Sequence, residues 1–215
     1  MPLTDPTELL PQLEARLQQP LPGAEAHALM FPAIKAMPEH FPDNMRLSAV
    51  MALLFLKKGA WHLLAIRRTA DGHAHSGQIG FPGGKEEPGD EHLRATALRE
   101  TFEEVGIPAA SIHVIGALSP VFIVVSNFRV FPYVGVLTAP LSYVPSADEV
   151  DEVLEIPLEE LFAPGARVQT IVSSPAYPDI KRKVNAYQLT DGTIIWGATA
   201  MMIAELELVW KSLRY

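Results

Sequence analysis

The apolar positions of this chain change period several times. Over 5–18 they recur at helical spacing, with Leu9, Leu10, Leu13 and Leu17 in one stripe. Asp5 is placed to cap that helix and Pro6 suits its first turn. Prolines then punctuate 20–42, where no period is sustained, so the expectation is an irregular arm over the surface. Two nearly continuous apolar runs follow, 46–56 and 61–67, on either side of Lys57-Lys58-Gly59-Ala60. Both read as buried strands. The stretch 77–84 is rich in glycine. Helical spacing returns over about 91–105 and stops at Gly106, with Pro108 beyond. Segments 112–118, 128–137 and 150–156 read as strands and 157–162 as a short helix. Strands are expected near 167–173, 184–189 and 193–196, and a closing helix over 198–213. A mixed run of strands interrupted by two longer helices predicts the α+β class, arranged as an α/β/α sandwich.

Composition narrows the function classes. A chain of 215 residues with nearly half of them apolar can bury a sizeable core as one domain with an appendage. There is no cysteine, which excludes a disulfide scaffold, thiolate metal sites and a cysteine nucleophile. The net charge of −8 argues against nucleic acid and against anionic membrane as partners. An acidic protein still binds a phosphate compound where a metal or a local arginine cluster reverses the field. No apolar run reaches the ~18 residues needed to span a bilayer. The first residues, MPLTDPTELL, carry no basic segment followed by an apolar one. The expected address is therefore the cytoplasm.

The candidate chemistry is concentrated in 77–107. Glu100, Glu103 and Glu104 stand at i, i+3 and i+4 of the expected helix, which places three like charges on one face. A solvated acidic face is the ordinary explanation of such a triple. The alternative is a divalent cation, and hard carboxylate oxygens suit Mg²⁺ or Mn²⁺. Phe81-Pro82-Gly83-Gly84 just upstream lets the backbone approach a ligand closely, and a backbone carbonyl there is placed to complete a metal's oxygen shell. Arg99 adjoins the glutamates and is suited to orient one of them by a bidentate pair. Glycine turn and acidic helix together favour the metal reading. The chain has no phosphate-cradling loop of the G-x-x-x-x-G-K-[ST] form and no G-x-S-x-G.

These residues resemble the Nudix box, G-x5-E-x7-R-E-U-x-E-E-x-G-U, where U is a bulky aliphatic. Gly84 is followed after five residues by Asp90, then after eight by Arg99-Glu100, then by Glu103-Glu104, Gly106 and Ile107. Asp90 stands where the pattern has glutamate, the spacing to Arg99 is one residue longer, and Thr101 holds the first U position. The same departures are similar to the coenzyme A pyrophosphatase branch, FPGGK-x-x-P-x-D…TALRE-x-x-EEVG. Here that reads Phe81 to Lys85, Pro88, Asp90 and Thr96 to Glu100. An upstream segment, Leu63 to Thr69 followed by His75, Gly77 and Phe81, resembles the branch's LLTxRS…H-x-G-x-x-x-FPGG. Ala65, Thr69 and Gly72 depart from it. The late Ile195 to Ala200 is similar to its closing segment.

The resemblance implies a Nudix fold, a mixed sheet between helices, over 45–215, with 1–44 as an N-terminal helix and proline-rich arm outside it. It implies Mg²⁺- or Mn²⁺-dependent hydrolysis of a diphosphate linkage, with coenzyme A and its derivatives as the small-molecule substrate. The products would be 3′,5′-ADP and 4′-phosphopantetheine. Glu100, Glu103, Glu104 and the Gly84 carbonyl become the expected metal ligands, with Arg99 fixing a glutamate. Glu149, in a run similar to the branch's N-x-x-E-V, is the expected further carboxylate, as ligand or general base. Arg67, Arg68, His75 and Lys85 are the expected substrate contacts. Arg67 and Arg68 are strand neighbours pointing to opposite faces, so at most one of them enters the site. Nudix relatives are often dimers, so a homodimer is compatible. Two alternatives stay open: another nucleoside diphosphate derivative such as ADP-ribose or a dinucleotide, and a nucleotide-sensing module without catalysis.

Overall fold

A computed structural model describes residues 6–31, 41–70, 77–174 and 177–213. The elements are α1 (Pro6–Leu17), α2 (Ala24–Met30), β1 (Arg46–Lys57), β2 (Ala60–Arg68), β3 (Ile79–Gly80), β4 (Gly83–Lys85) and α3 (Leu93–Val105). After a 3-10 turn come β5 (Ile112–Ala117), β6 (Val121–Ile123), β7 (Phe128–Leu137), β8 (Val150–Pro157) and α4 (Leu158–Leu161). The chain closes with β9 (Arg167–Ser174), β10 (Tyr177–Gln188), β11 (Ile194–Trp196) and α5 (Gly197–Lys211). Among the described residues no helix is long and apolar enough to cross a membrane.

Eight strands form one mixed sheet in which β1 is central. It pairs parallel with β7 from Arg46↔Phe128 to Leu54↔Val136, and antiparallel with β2 and β4. Its near-continuous apolar run follows from that position, because a strand covered on both faces has no polar side to show. Met51, Leu53 and Phe55 point to one face, where α3 packs with Ala97 and Val105. Ala52 and Leu54 point to the other, against α1, α2 and α5. The expected α+β sandwich is the observed one. A three-stranded sheet, β11-β10-β9, adjoins α5.

β2 leaves β1 after Leu53↔Leu64, and the vacated edge of β1 is taken by β4 while β3 lines β2. The sheet is thus split at one end, with the glycine-rich segment in the gap. The site lies there.

The stretch 20–42 is not wholly irregular. It contains α2, which lies against α5. The reason is a carboxylate on α5. Glu205 is fully buried and accepts the Gly23 amide at 2.6 Å, the Ser119 amide at 2.7 Å and the Ser119 hydroxyl at 2.6 Å. His27 Nε2 of α2 stands 3.6 Å away. Burial alone would raise this carboxyl, but His27, Ser119 and Gly23 outweigh it and hold it below its ordinary value. Leu9, Leu13, Leu17 and Met30 add apolar contact to the same core.

Replacing Glu205 by Ala strands buried donors from two segments. We expect a loss of about 3 kcal/mol in denaturant unfolding, with faster amide exchange over 24–30. A loss below about 1 kcal/mol would remove Glu205 as the anchor of the N-terminal helices.

Candidate active site

Helix α3 begins where His92 Nδ1 accepts the Ala95 amide at 3.0 Å, two residues later than its sequence pattern predicts. It ends at Gly106, whose φ of 70° is a left-handed cap. The loop between β7 and β8 is stitched onto the helix end: the Val144 amide donates to the Val105 carbonyl and the Ser146 amide to the Glu104 carbonyl. This loop carries Asp148 and Glu149 to the split end of the sheet.

The helix turns its residues to three environments. Ala97, Thr101, Glu104 and Val105 face the sheet, so Glu104 is the glutamate that is buried. Its side chain is 0% exposed, against 15% for Glu100 and 50% for Glu103. Glu104 accepts the Gly83 amide from β4 and Arg68 Nη1 from β2, each at 2.8 Å. Burial pushes its pKa up to about 7, although Arg68 and the Gly83 amide pull it down. Glu100 packs against Gly84 so closely that a Cβ there would overlap its carboxylate. Only glycine fits. Burial also raises Glu100, Arg99 opposes this, and the charges of Glu103 and Glu149 add to it.

Arg99 organises the rest. Its Nε and Nη2 pair with the two oxygens of Asp90, each at 3.0 Å. Nη1 donates to Glu100 at 2.9 Å and to Glu103 at 2.7 Å, and Nη2 also reaches the Lys85 carbonyl at 3.1 Å. Asp90 accepts the Thr96 hydroxyl and the Glu87 amide as well, and is held well below the usual carboxylate range, chiefly by Arg99. Among the described residues no three acidic or histidine side chains converge as a ready cation shell. Arg99 and Arg68 stand between the carboxylates instead.

A cavity of about 850 Å³ opens over this end of the sheet. Gly83, Gly84, Lys85, Arg68 and Glu149 line it, with the start of α5 opposite.

The Nudix domain model matches residues 45–173. This chain belongs to the Nudix family. Its curated relatives are named Nudix hydrolases. The uncharacterized Nudix hydrolase NudL of Pectobacterium atrosepticum is 40% identical over 68% of this chain and 73% of its own length. The protein of that name from Klebsiella pneumoniae is 36% identical over 83% of this chain and 90% of its own. The crystal structure of a MutT/nudix family protein from Enterococcus faecalis superposes with a TM-score of 0.53 at 20% identity. It covers 97% of this chain and 76% of the other, and shares the fold.

In this Nudix hydrolase Glu100, Glu103, Glu104, Arg99, Gly84, Lys85, Arg68 and Glu149 gather at one end of the sheet. Arg67 does not join them: it turns to the other face and pairs with Glu152 at 2.9 Å. His75 lies outside the described residues. His62 stacks on Phe55, while His113 is exposed. His27 is buried beside Glu205. Trp196 and Met202 line the cavity wall. Sequence reasoning missed Arg46, Ser48 and Arg182, which also line it. Arg46 opens an apolar strand and Arg182 sits in a basic run, and neither pattern marks a ligand.

The folded pKa of Glu104, about 7, lies above its ordinary 4.5. Its contribution to stability is therefore full at low pH and lost as pH rises through about 7. Glu104→Gln removes that loss. In EDTA the variant's gain in melting temperature over the parent should be larger at about pH 8 than at about pH 5. A pH-independent difference would show that Glu104 ionises normally.

Proposed function

We propose that this Nudix hydrolase cleaves the diphosphate of coenzyme A and its derivatives, with Mg²⁺ or Mn²⁺, into 3′,5′-ADP and 4′-phosphopantetheine. The observation that carries this reading is the position of Arg68. It belongs to the upstream segment that resembles the coenzyme A branch, it lines the cavity, and it holds the buried Glu104 of the box at 2.8 Å. Substrate segment and acidic helix thereby share one residue pair.

The donor set suits a hard divalent cation. Glu100, Glu103 and Glu104 would hold it, with the Gly84 carbonyl and Glu149 completing oxygen ligation. When bound, such an ion neutralises the diphosphate, polarises phosphorus and acidifies water. The protein's residues do the positioning. Arg68 and the Gly83 amide fix Glu104. Asp90 keeps two N–H groups of Arg99 engaged, so that Nη1 can release Glu100 and Glu103 without the side chain leaving the site. Lys85, exposed at the cavity's edge beside Gly84, meets the negative charge of the phosphates. Glu149, on the opposite lip, takes a proton from the attacking water or serves as a ligand.

The test is mass-detected chromatography of coenzyme A and of ADP-ribose, each incubated with Mg²⁺ or Mn²⁺ and, as control, with EDTA. Phosphopantetheine and 3′,5′-ADP should appear only with metal. AMP and ribose phosphate from ADP-ribose alone would overturn the coenzyme A assignment. With Mg²⁺ saturating, Glu104→Gln should lower turnover by about 100-fold or more. Unchanged turnover would remove Glu104 from the metal ligands.

A further inference from the structure

The cavity is electrostatically polarised, and strand order shows how. Across the split end of the sheet stand, in sequence, Asp148 and Glu149 before β8, Arg68 and Thr69 at the end of β2, then Gly83–Lys85 on β4. Beyond them come Arg46 and Ser48 on β1, and Ser126 and Phe128 at the start of β7. The acidic helix lies behind β4. Apart from Arg68, the cations of the lining stand at and beyond β4: Lys85, Arg46 and, from β10 across the cavity, Arg182. This is an unusual concentration of positive charge in a chain of net −8.

Two features distinguish this end from a solvated basic patch. Arg46 is held in place, with Nη2 donating to the Ser126 carbonyl at 2.7 Å and its guanidinium 4.0 Å above the Phe128 ring. A fixed guanidinium plane is pre-organised for an oxyanion. Ser48, between Arg46 and Val50 on the same face of β1, is only 7% exposed and lines the cavity. The buried hydroxyl without a partner on this wall is that of Ser126, whose carbonyl holds Arg46. An oxyanion in the cavity would satisfy it.

We propose that Arg46 and Arg182, with the Ser48 hydroxyl beside Arg46, form a second anion site, which holds a phosphate monoester of the substrate remote from the scissile diphosphate that Lys85 meets. The geometry sets the separation. Ser48 pairs with Lys85 across the ladder, next to Gly84 where Glu100 packs, and Arg46 is two residues further along the strand. Two strand residues span about 7 Å, a distance of the order of a ribose. A nucleoside bisphosphate, esterified on both sides of its ribose, matches this spacing, whereas a nucleoside monophosphate leaves the second site empty. The inference rests on the coenzyme A reading for its substrate but has its own readout.

The experiment is titration calorimetry in EDTA on the full chain, with 3′,5′-ADP and 5′-AMP as probes. The parent should bind 3′,5′-ADP about tenfold more tightly than 5′-AMP, and Arg46→Gln and Arg182→Gln should each reduce that ratio to about twofold or less. Melting curves report the fold of each variant. Arg182 is exposed on the cavity's far wall, so its replacement tests the site even where loss of the Arg46 stacking unsettles β1. Equal binding of the two probes by the parent overturns the second site, as does a preference that survives both replacements. A preference lost in the variants of a protein that leaves coenzyme A intact upholds the site and overturns the coenzyme A reading instead.

Discussion

Carboxylates crowded at one helix repel each other and must still stay ionisable, and much of this structure answers that constraint. Glu100, Glu103, Glu104 and Asp90 all lie within reach of two guanidinium groups. Arg99 takes three of them and Arg68 the fourth. The division is unequal in burial, and that inequality matters. Asp90 is strongly held as an anion, whereas Glu104 is raised towards neutrality and Glu100 is raised too. The first carboxylate stabilises the arrangement. Glu100 and Glu104 are the less stable as anions where they stand, which supports the proposal that they take a cation.

The departures of the box from the common Nudix pattern have a structural outcome here. Aspartate is one methylene shorter than glutamate, and the segment to Arg99 is one residue longer. Asp90 nevertheless reaches Arg99 with both oxygens and adds the Thr96 hydroxyl and the Glu87 amide. Between Asp90 and Arg99 the chain makes a turn and starts α3, which His92 caps. The shorter side chain still makes a bidentate pair with Arg99.

Much of this was legible in the chain, and the parts that were not share a physical cause. β1, β7 and α3 were readable because each buries a long regular pattern. β3, β4 and β6 have two or three residues, too few for any period, and exist because a longer strand offers them a ladder. α2 has seven residues among prolines and is held by Glu205, which is 182 positions away in sequence from Gly23. Within the site, spacing placed Glu100, Glu103 and Glu104 together but not which of them faces the core. Only the packing of Ala97, Thr101 and Val105 on the sheet shows that it is Glu104. The strand alternation that allows one of Arg67 and Arg68 into the site did not say which; pairing with β8 and α3 selects Arg68. Arg46 and Arg182 come from different sheets, and no local pattern joins them.

The two ends of the chain converge on the same helix. α5 carries Glu205, which anchors α2, and its first turn, with Trp196 just before it, forms one wall of the cavity. Thr199 in that turn donates to the Ile79 carbonyl on β3 at 2.9 Å, tying the helix to the strand that leads into Phe81 and the glycines. The N-terminal helices are remote from the acidic helix, on the opposite face of the sheet, yet they pack on the element that frames the cavity. A rigid α5 keeps the wall bearing Trp196 and Thr199 at a fixed distance from Gly84, and α2 adds to that rigidity through Glu205 and Met30. The stretch that looked like an arm over the surface thus belongs mechanically to the site's scaffold, even though none of its described residues lines the cavity.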